Sequence, residues 1–191
     1  ALPIYNNRDD FLLHWILSIA NTETPSHVMV LNFGIEGSYL LHYSDYIKQF
    51  NIQVMILSAM GSTIIAGTGD DGVSRCRFKS SYSQCAYDPV FPVSSPYVLA
   101  VGATMGVESV DASPSSEVVC DAKQGGVITS GGGFSHLFAA LSYQNKSISN
   151  YFSSLTSAPT VGYSSAGRGY FDVSLADTKY ATGIGVKEYS T

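Results

Sequence analysis

Apolar residues follow two different spacings along this chain. From about residue 10 to 21 they recur with a helical period behind two acidic residues, which predicts a helix. The continuous run Val28-Met-Val-Leu31 instead has the length and composition of a buried strand. A second helical pattern extends from Tyr43 to Leu57, and Gly61 is expected to end that helix.

A second buried strand is predicted at Thr63-Ile-Ile65, directly after this helix. The resulting order of strand, helix and strand is typical of an α/β fold in which helices cover a parallel sheet. Further along, we predict a strand at Tyr97–Val101, a polar surface loop over 111–123 and a helix near 145–155. Because the pattern continues without a break, residues 1–191 are expected to form one domain piece.

Composition limits the classes of function that remain. With 45% hydrophobic and only 13% charged residues, the chain can bury a large core and is not expected to be disordered. Its net charge is −5 and it has no basic run, which argues against a nucleic-acid partner. No apolar stretch approaches the roughly 20 residues of a membrane helix, so no membrane partner is predicted.

Three cysteines and one sequon bear on the compartment. Cys76 and Cys85 share a polar loop and are expected to form a local disulfide, which leaves Cys120 free or paired to another chain. The alternative is that all three are reduced. Asn145-Lys-Ser147 is a glycosylation sequon. Together these features favour a secreted or a lysosomal or vacuolar protein.

The loop after the second strand, Gly67-Thr-Gly-Asp-Asp-Gly72, carries two carboxylates at the edge where ligands of parallel sheets bind. It matches the glycine pattern of dinucleotide sites, but no apolar helical face follows and carboxylates repel a pyrophosphate. A metal site would need more oxygen ligands than Asp70 and Asp71, whose side chains diverge. A turn-capping role for Asp70 also remains open.

The remaining interpretation of this loop is an oxyanion hole. A protonated carboxylic acid donates a hydrogen bond to a developing oxyanion, whereas an ionised one cannot. For Asp70 to act in this way, burial or an acidic medium must keep it protonated.

Five blocks of the sequence are similar to motifs of a single known family. They are Asn32-Phe-Gly34 with Glu36 (SYG and an acid), Thr68-Gly-Asp-Asp-Gly72 (SGDSG), Phe91-Pro-Val-Ser-Ser-Pro-Tyr-Val98 with Ala100-Val-Gly-Ala-Thr104 (FPASSPYVTAVGGT), Ser130-Gly-Gly-Gly-Phe-Ser135 (SGGGFS) and Arg168-Gly-Tyr-Phe-Asp-Val-Ser174 (RGYPDVSA). In this order and spacing they resemble the sedolisins, the serine-carboxyl peptidases. The likeness covers residues from about 11 to 180.

The resemblance implies a subtilisin-like α/β fold, with a parallel sheet of about seven strands in the complete domain and helices on both faces. It also implies a Ser nucleophile, a Glu base supported by an Asp, and a separate oxyanion Asp. Asp70 takes that oxyanion position, and Asp71 stands where the family has Ser. The implied substrate-binding residues are Asn32, Phe33, Gly34, Gly67, Thr68, Gly69, Ser130, Gly131 and Gly132.

Two parts of the family pattern are not found in this sequence. The Glu-x-x-x-Asp pair belongs upstream of Phe11, where no such spacing occurs, and the SGTSA-type block belongs after the RGYPDVSA block. Tyr189-Ser-Thr191 aligns with the start of that block, which puts the nucleophile just beyond Thr191; Ser190 itself is an alternative. We therefore expect the central part of a peptidase domain, whose companion chains from the same precursor carry the Glu/Asp pair and the Ser.

The prediction is thus an acid-acting peptidase that hydrolyses peptides or proteins as a complex of processed chains. No cofactor or metal is expected in this chain, and a calcium site belongs to the downstream part of the family's domain. One alternative is a subtilisin-type Ser-His-Asp protease, although its oxyanion residue would be Asn rather than Asp70. Another is a non-catalytic sedolisin-like module, favoured by Asp71 for Ser and Phe171 for Pro.

Overall fold

The computed structural model describes residues 11–40, 43–73, 87–107, 116–157 and 162–177. Its helices are α1 (Phe11–Ala20), α2 (Gly37–Leu40), α3 (Ser44–Ala59) and α4 (Asn145–Ser154), with short 3₁₀ turns at Ala122–Gln124 and Ser142–Gln144. Its strands are β1 (Val28–Leu31), β2 (Ile35–Glu36), β3 (Thr63–Gly67), β4 (Val90–Phe91), β5 (Leu99–Met105), β6 (Val118–Val119), β7 (Gly133–Ala139), β8 (Gly167–Tyr170) and β9 (Val173–Ala176).

A parallel sheet organises these elements, as the sequence predicted. β1 pairs with β3, β3 pairs with β5, and β9 pairs with β5, all in parallel, while β6 lies antiparallel to the end of β5. The crossover from β1 to β3 contains α3, which is the predicted βαβ unit. The predicted helices at 10–21 and 145–155 are confirmed as α1 and α4.

The hydrophobic core lies between one face of this sheet and helices α1 and α3. It is formed by buried residues from both helices and from the inward side of β1, β3 and β5, including Leu12, Ile16, Phe50, Val54, Leu57, Met29, Ile64, Ala66 and Ala100. The buried positions of α3 recur with the helical period, which explains why the sequence pattern identified it. Gly61 follows the helix with a left-handed φ of 91°, as expected of a residue that ends it.

The opposite face of the sheet is exposed along β1 and β9, whereas Ala103 and Met105 at the end of β5 are buried there against Cys120. Register places Val28, Val30, Val173 and Leu175 on this face, and the side chains of Val30 and Leu175 are 69% and 65% exposed. Both α1 and α3 pack on the other face. Parallel sheets are normally covered on both faces, so this surface is unusual for its class.

Several strands differ from the sequence expectation. β6 lies inside the stretch predicted as a surface loop, because Val118 and Val119 pair with the end of β5. β5 itself begins later and runs further than the predicted strand at 97–101. β7, β8 and β9 were not predicted, since Gly167-Arg-Gly-Tyr170 has no apolar alternation and gains its strand conformation by pairing with β7.

A partly buried ion pair connects the second half of the chain to the sheet. The Arg168 guanidinium donates to the Asp172 carboxylate at 2.6 Å and to the carbonyl oxygens of Val93 and Val98, both at 3.2 Å. Asp172 also accepts a hydrogen bond of 2.8 Å from the backbone N–H of Ala100 at the start of β5. These contacts fix the turn between β8 and β9 against the 93–100 segment.

Candidate active site

Two loops leave the same edge of the sheet side by side. β1 and β3 are parallel neighbours with Leu31 opposite Ala66, so the loops after their carboxyl ends are adjacent. The Oδ1 atom of Asn32 lies 3.1 Å from where a side-chain carbon on Gly67 would stand. The segments Asn32–Gly34 and Gly67–Gly69, predicted as the two walls of a substrate cleft, are therefore brought together.

The residues of these walls differ in how they face the solvent. Asn32, Phe33 and Gly69 are exposed, and the Phe33 ring contacts Phe11 edge-on at a centroid distance of 4.5 Å. Thr68 is only 3% exposed, and its N–H donates to the carbonyl oxygen of Val101 at 3.0 Å. In this chain Thr68 thus contributes to the wall through its backbone, while its side chain is buried.

A glycine turn carries Asp70 to the surface. Gly69 and Gly72 have φ values of 91° and 64°, a left-handed conformation that costs other residues about 1–2 kcal/mol. A side-chain carbon on Gly69 would meet nothing within 4 Å, so the turn, and not packing, requires glycine there. The Asp70 side chain is exposed at the rim of the two walls.

The exposure of Asp70 limits how it can act as a hydrogen-bond donor. An ordinary aspartic acid side chain is ionised above about pH 4, and only the protonated form donates. This chain leaves the Asp70 carboxyl group exposed. Its neighbour Asp71 is half-buried and pairs through the backbone with Thr129.

The glycine-rich segment lies behind the Asp70 turn. The N–H of Gly131 donates to the carbonyl oxygen of Gly69, and the N–H of Thr129 donates to that of Asp70, both at 2.8 Å. Ser130 is 8% exposed, and its Oγ accepts from the N–H of Ala103 at 2.9 Å. Gly131 is also buried, whereas Gly132 is half-buried and lies near Tyr170 and Phe171. The predicted segment Ser130–Gly132 therefore lies against the Asp70 turn, and the Ser130 side chain is hydrogen-bonded to β5.

Sequence reasoning did not single out Thr129. Thr129 precedes the recognised SGGGFS block, and no pattern in the sequence distinguishes it from other loop threonines. Its hydrogen bonds to the Asp70–Gly72 turn exist only because the chain returns to this edge of the sheet after β6.

The structure describes one of the three cysteines and the glycosylation sequon. Cys76 and Cys85 lie outside the described residues, so their disulfide stays a prediction. Cys120 is free and fully buried, with its Sγ 3.5 Å from the carbonyl oxygen of Ile128. Asn145 and Ser147 of the sequon are exposed at the start of α4. Glycosylation there also stays a prediction.

The fold has a solved counterpart, and the sequence has curated relatives. Pseudomonas sedolisin, a serine-carboxyl proteinase solved with two molecules of pseudo-iodotyrostatin, matches 90% of this chain and 43% of its own with a TM-score of 0.60 at 20% identity. Tripeptidyl-peptidase 1 of Macaca fascicularis is 34% identical over 169 residues, and the human protein is 33% identical. Physarolisin of Physarum polycephalum is 28% identical over 204 residues. The chain belongs to the sedolisin family.

The alignments with the relatives cover only part of each relative's length. The chain spans 28% of the length of the tripeptidyl-peptidases and 35% of physarolisin, while 88% and 90% of its own residues are aligned. A scan against models of known protein families finds no match. The resemblance first noticed in five short blocks is thus confirmed over most of the chain, and the fold class is confirmed with it.

None of the helices in the described part of the chain is long and apolar enough to cross a membrane. Nor does that part of the chain include a group of three or more His, Cys, Asp or Glu that could hold a metal ion.

Proposed function

We propose that this chain is the central part of an acid-acting serine-carboxyl peptidase and supplies its oxyanion Asp70. The observation that carries the proposal is the placement of Asp70, on an exposed glycine turn beside the two adjacent loops after β1 and β3. In this proposal the Ser nucleophile and the Glu/Asp pair come from companion chains of the same precursor, and the substrate is a peptide or protein.

The chemistry of peptide hydrolysis explains why such a turn is useful. Attack of a Ser oxygen on the scissile carbonyl converts that carbonyl oxygen into an oxyanion. A protonated Asp70 donates a hydrogen bond to it, and the bond strengthens as negative charge develops. The backbone of Asn32–Gly34 and Gly67–Gly69 would bind the extended substrate on either side of the bond to be cleaved.

The open face of the sheet supports a role for the rest of the precursor. The exposed side chains of Val28, Val30, Val173 and Leu175 form an apolar surface on a parallel sheet, which normally carries helices on both faces. The matched segment spans only 28% of the length of the tripeptidyl-peptidases, so most of each of those proteins lies outside it. We therefore assign this face to amphipathic helices of the same precursor.

The requirement for a protonated Asp70 also bears on the compartment. An exposed carboxylic acid is protonated only in an acidic medium. Secretion into such a medium, or delivery to a lysosome or vacuole, agrees with the exposed sequon at Asn145.

The second candidate function, a non-catalytic sedolisin-like binding module, rests on Asp71 in the family's Ser position.

Hydrolysis by the full-length precursor tests the proposal. Internally quenched peptides with a free amino terminus report both tripeptidyl-peptidase and endopeptidase action, whereas peptides with a blocked amino terminus report endopeptidase action only. In acid we expect cleavage, and Asp70→Ala should lower kcat by about 10²–10³-fold, as removal of an oxyanion donor does elsewhere. Asp45→Ala, on the exposed side of α3, is the matched control and should retain activity. An inactive wild-type protein after processing of the precursor in acid, or full activity in Asp70→Ala, would contradict the proposal.

A further inference from the structure

We propose that Gly131 is a positioning residue, which sets the location of Asp70 through the backbone of the oxyanion loop and does not bind substrate. The inference rests on the proposed function of Asp70. It concerns the segment Thr129–Gly131, which we call the backing segment.

The backing segment is hydrogen-bonded to the oxyanion loop on both sides of Asp70. Gly131 donates to the carbonyl oxygen of Gly69 and Thr129 donates to that of Asp70, both at 2.8 Å. The carbonyl oxygen of Thr129 in turn accepts from the N–H of Gly72 at 2.9 Å. The backbone on either side of the Asp70 side chain is therefore held by a single neighbouring segment.

The backing segment is itself anchored to the sheet. The Ser130 Oγ accepts from the N–H of Ala103 in β5, and the N–H of Ser130 donates to the carbonyl oxygen of Cys120 at 2.9 Å. Cys120 donates in turn to the carbonyl oxygen of Ala103 at 3.0 Å. Because Ser130 and Cys120 are both buried, the anchor is shielded from water.

Gly131 occupies the closest approach between the two segments. A side-chain carbon there would overlap the carbonyl oxygen of Thr68, which is backbone and cannot rotate away. Gly131→Ala must therefore push the 68–70 backbone outward or break the hydrogen bond to Gly69. Either movement displaces Asp70 from where it would meet an oxyanion.

A double-mutant cycle in the full-length precursor separates positioning from other roles. We measure kcat and KM on an internally quenched peptide for the wild type, Gly131→Ala, Asp70→Ala and the double variant. Gly131→Ala should lower kcat by about 10–100-fold, because a small displacement of a catalytic group has an effect of this size. In the Asp70→Ala background the same substitution should change kcat less than about twofold, since no donor remains to be displaced.

Two further variants keep the test informative. Ser130→Ala removes the acceptor for Ala103 without adding an atom, and should give a smaller kcat loss that also vanishes in the Asp70→Ala background. Gly61→Ala is the control for general strain. Gly61 precedes β3, at the opposite end of that strand from the oxyanion loop, and has a φ of 91° with open space around it, so the substitution should lower Tm and leave kcat unchanged.

The kinetic results of these variants distinguish a positioning role of Gly131 from a substrate contact and from a purely structural role. Loss of kcat that depends on Asp70 supports the positioning role. A raised KM that persists without Asp70 makes Gly131 a substrate contact, and equal losses of kcat in both backgrounds make it purely structural; either result overturns the inference. Failure of the proposed function is recognised separately, because then Asp70→Ala alone has wild-type activity or the wild type has none.

Discussion

At the scale of single residues, Arg168 shows how a buried charge stabilises this fold. Its side chain is fully buried, and removal of a charge from water is offset only when hydrogen bonds and an opposite charge replace the solvent. Asp172 supplies the charge, and the carbonyl oxygens of Val93 and Val98 accept two further hydrogen bonds, while the Arg168 Nε is buried without a partner. One side chain thus connects the β8–β9 turn to the chain before β5.

Replacement of this arginine should be among the more damaging single substitutions. Arg168→Leu leaves two carbonyl oxygens and the partly exposed Asp172 carboxylate without their donor, and we expect the free energy of unfolding to fall by about 1–3 kcal/mol. Urea denaturation of the complete protein measures the change. As a control, Lys48→Leu disrupts an exposed 3.7 Å pair with Asp45 and should change stability by less than about 1 kcal/mol. A loss for Arg168→Leu as small as the control's would show that the pair contributes little.

Residue identity alone did not reveal this role. Arg168 was recognised as part of a family motif, but its carbonyl acceptors are 75 and 70 positions away in sequence. Asp70 was easier to identify, because its glycine turn and the preceding strand are contiguous in sequence. Local patterns can reveal a turn and its acid, whereas contacts made by the folded chain over such distances leave no local signal.

At the scale of elements, β1 shows both the success and the limit of pattern reading. Its apolar run was predicted as a buried strand, and the strand is present with the predicted bounds. Met29 and Leu31 are buried under α1 and α3, but Val28 and Val30 are exposed. The apolar run is the sequence of a strand with two buried faces, and the described residues cover one of them.

The second face therefore provides a test of the assignment to helices of the precursor. Val30→Asp in the full-length protein should lower the free energy of unfolding by about 2–4 kcal/mol, because an unpaired charge would be buried beneath those helices. Val127→Asp is the matched control, since Val127 is 86% exposed in a loop. Thermal or urea denaturation compares the two, and equal, small effects would mean that the face stays open to water.

The strands that the sequence did not reveal share a physical cause. β8 contains two glycines and β6 is only two residues long, so neither has an apolar alternation to detect. They become strands because β7 and β5 offer backbone partners. Such pairing depends on the tertiary fold more than on the propensities of the residues involved.

At the scale of the whole molecule, the site is an assembly of parts from distant positions. In our proposal this chain contributes the Asp70 turn, its backing segment and the two cleft walls from three separate stretches of sequence. In our proposal the attacking Ser and its Glu/Asp pair belong to the rest of the precursor. Sequence reasoning predicted which residues meet at this edge, but the position of Ser130 and Gly131 behind the turn required the structure.

The pH dependence of hydrolysis by Asp70→Asn tests the central claim most directly. Asn donates a hydrogen bond at every pH, whereas Asp70 donates only when protonated. We predict that kcat/KM of the full-length wild type falls as the pH rises and Asp70 ionises. For Asp70→Asn the fall should move to higher pH, and Asp70→Ala should stay low throughout. If wild type and Asp70→Asn lose activity over the same pH range, Asp70 is not the oxyanion donor.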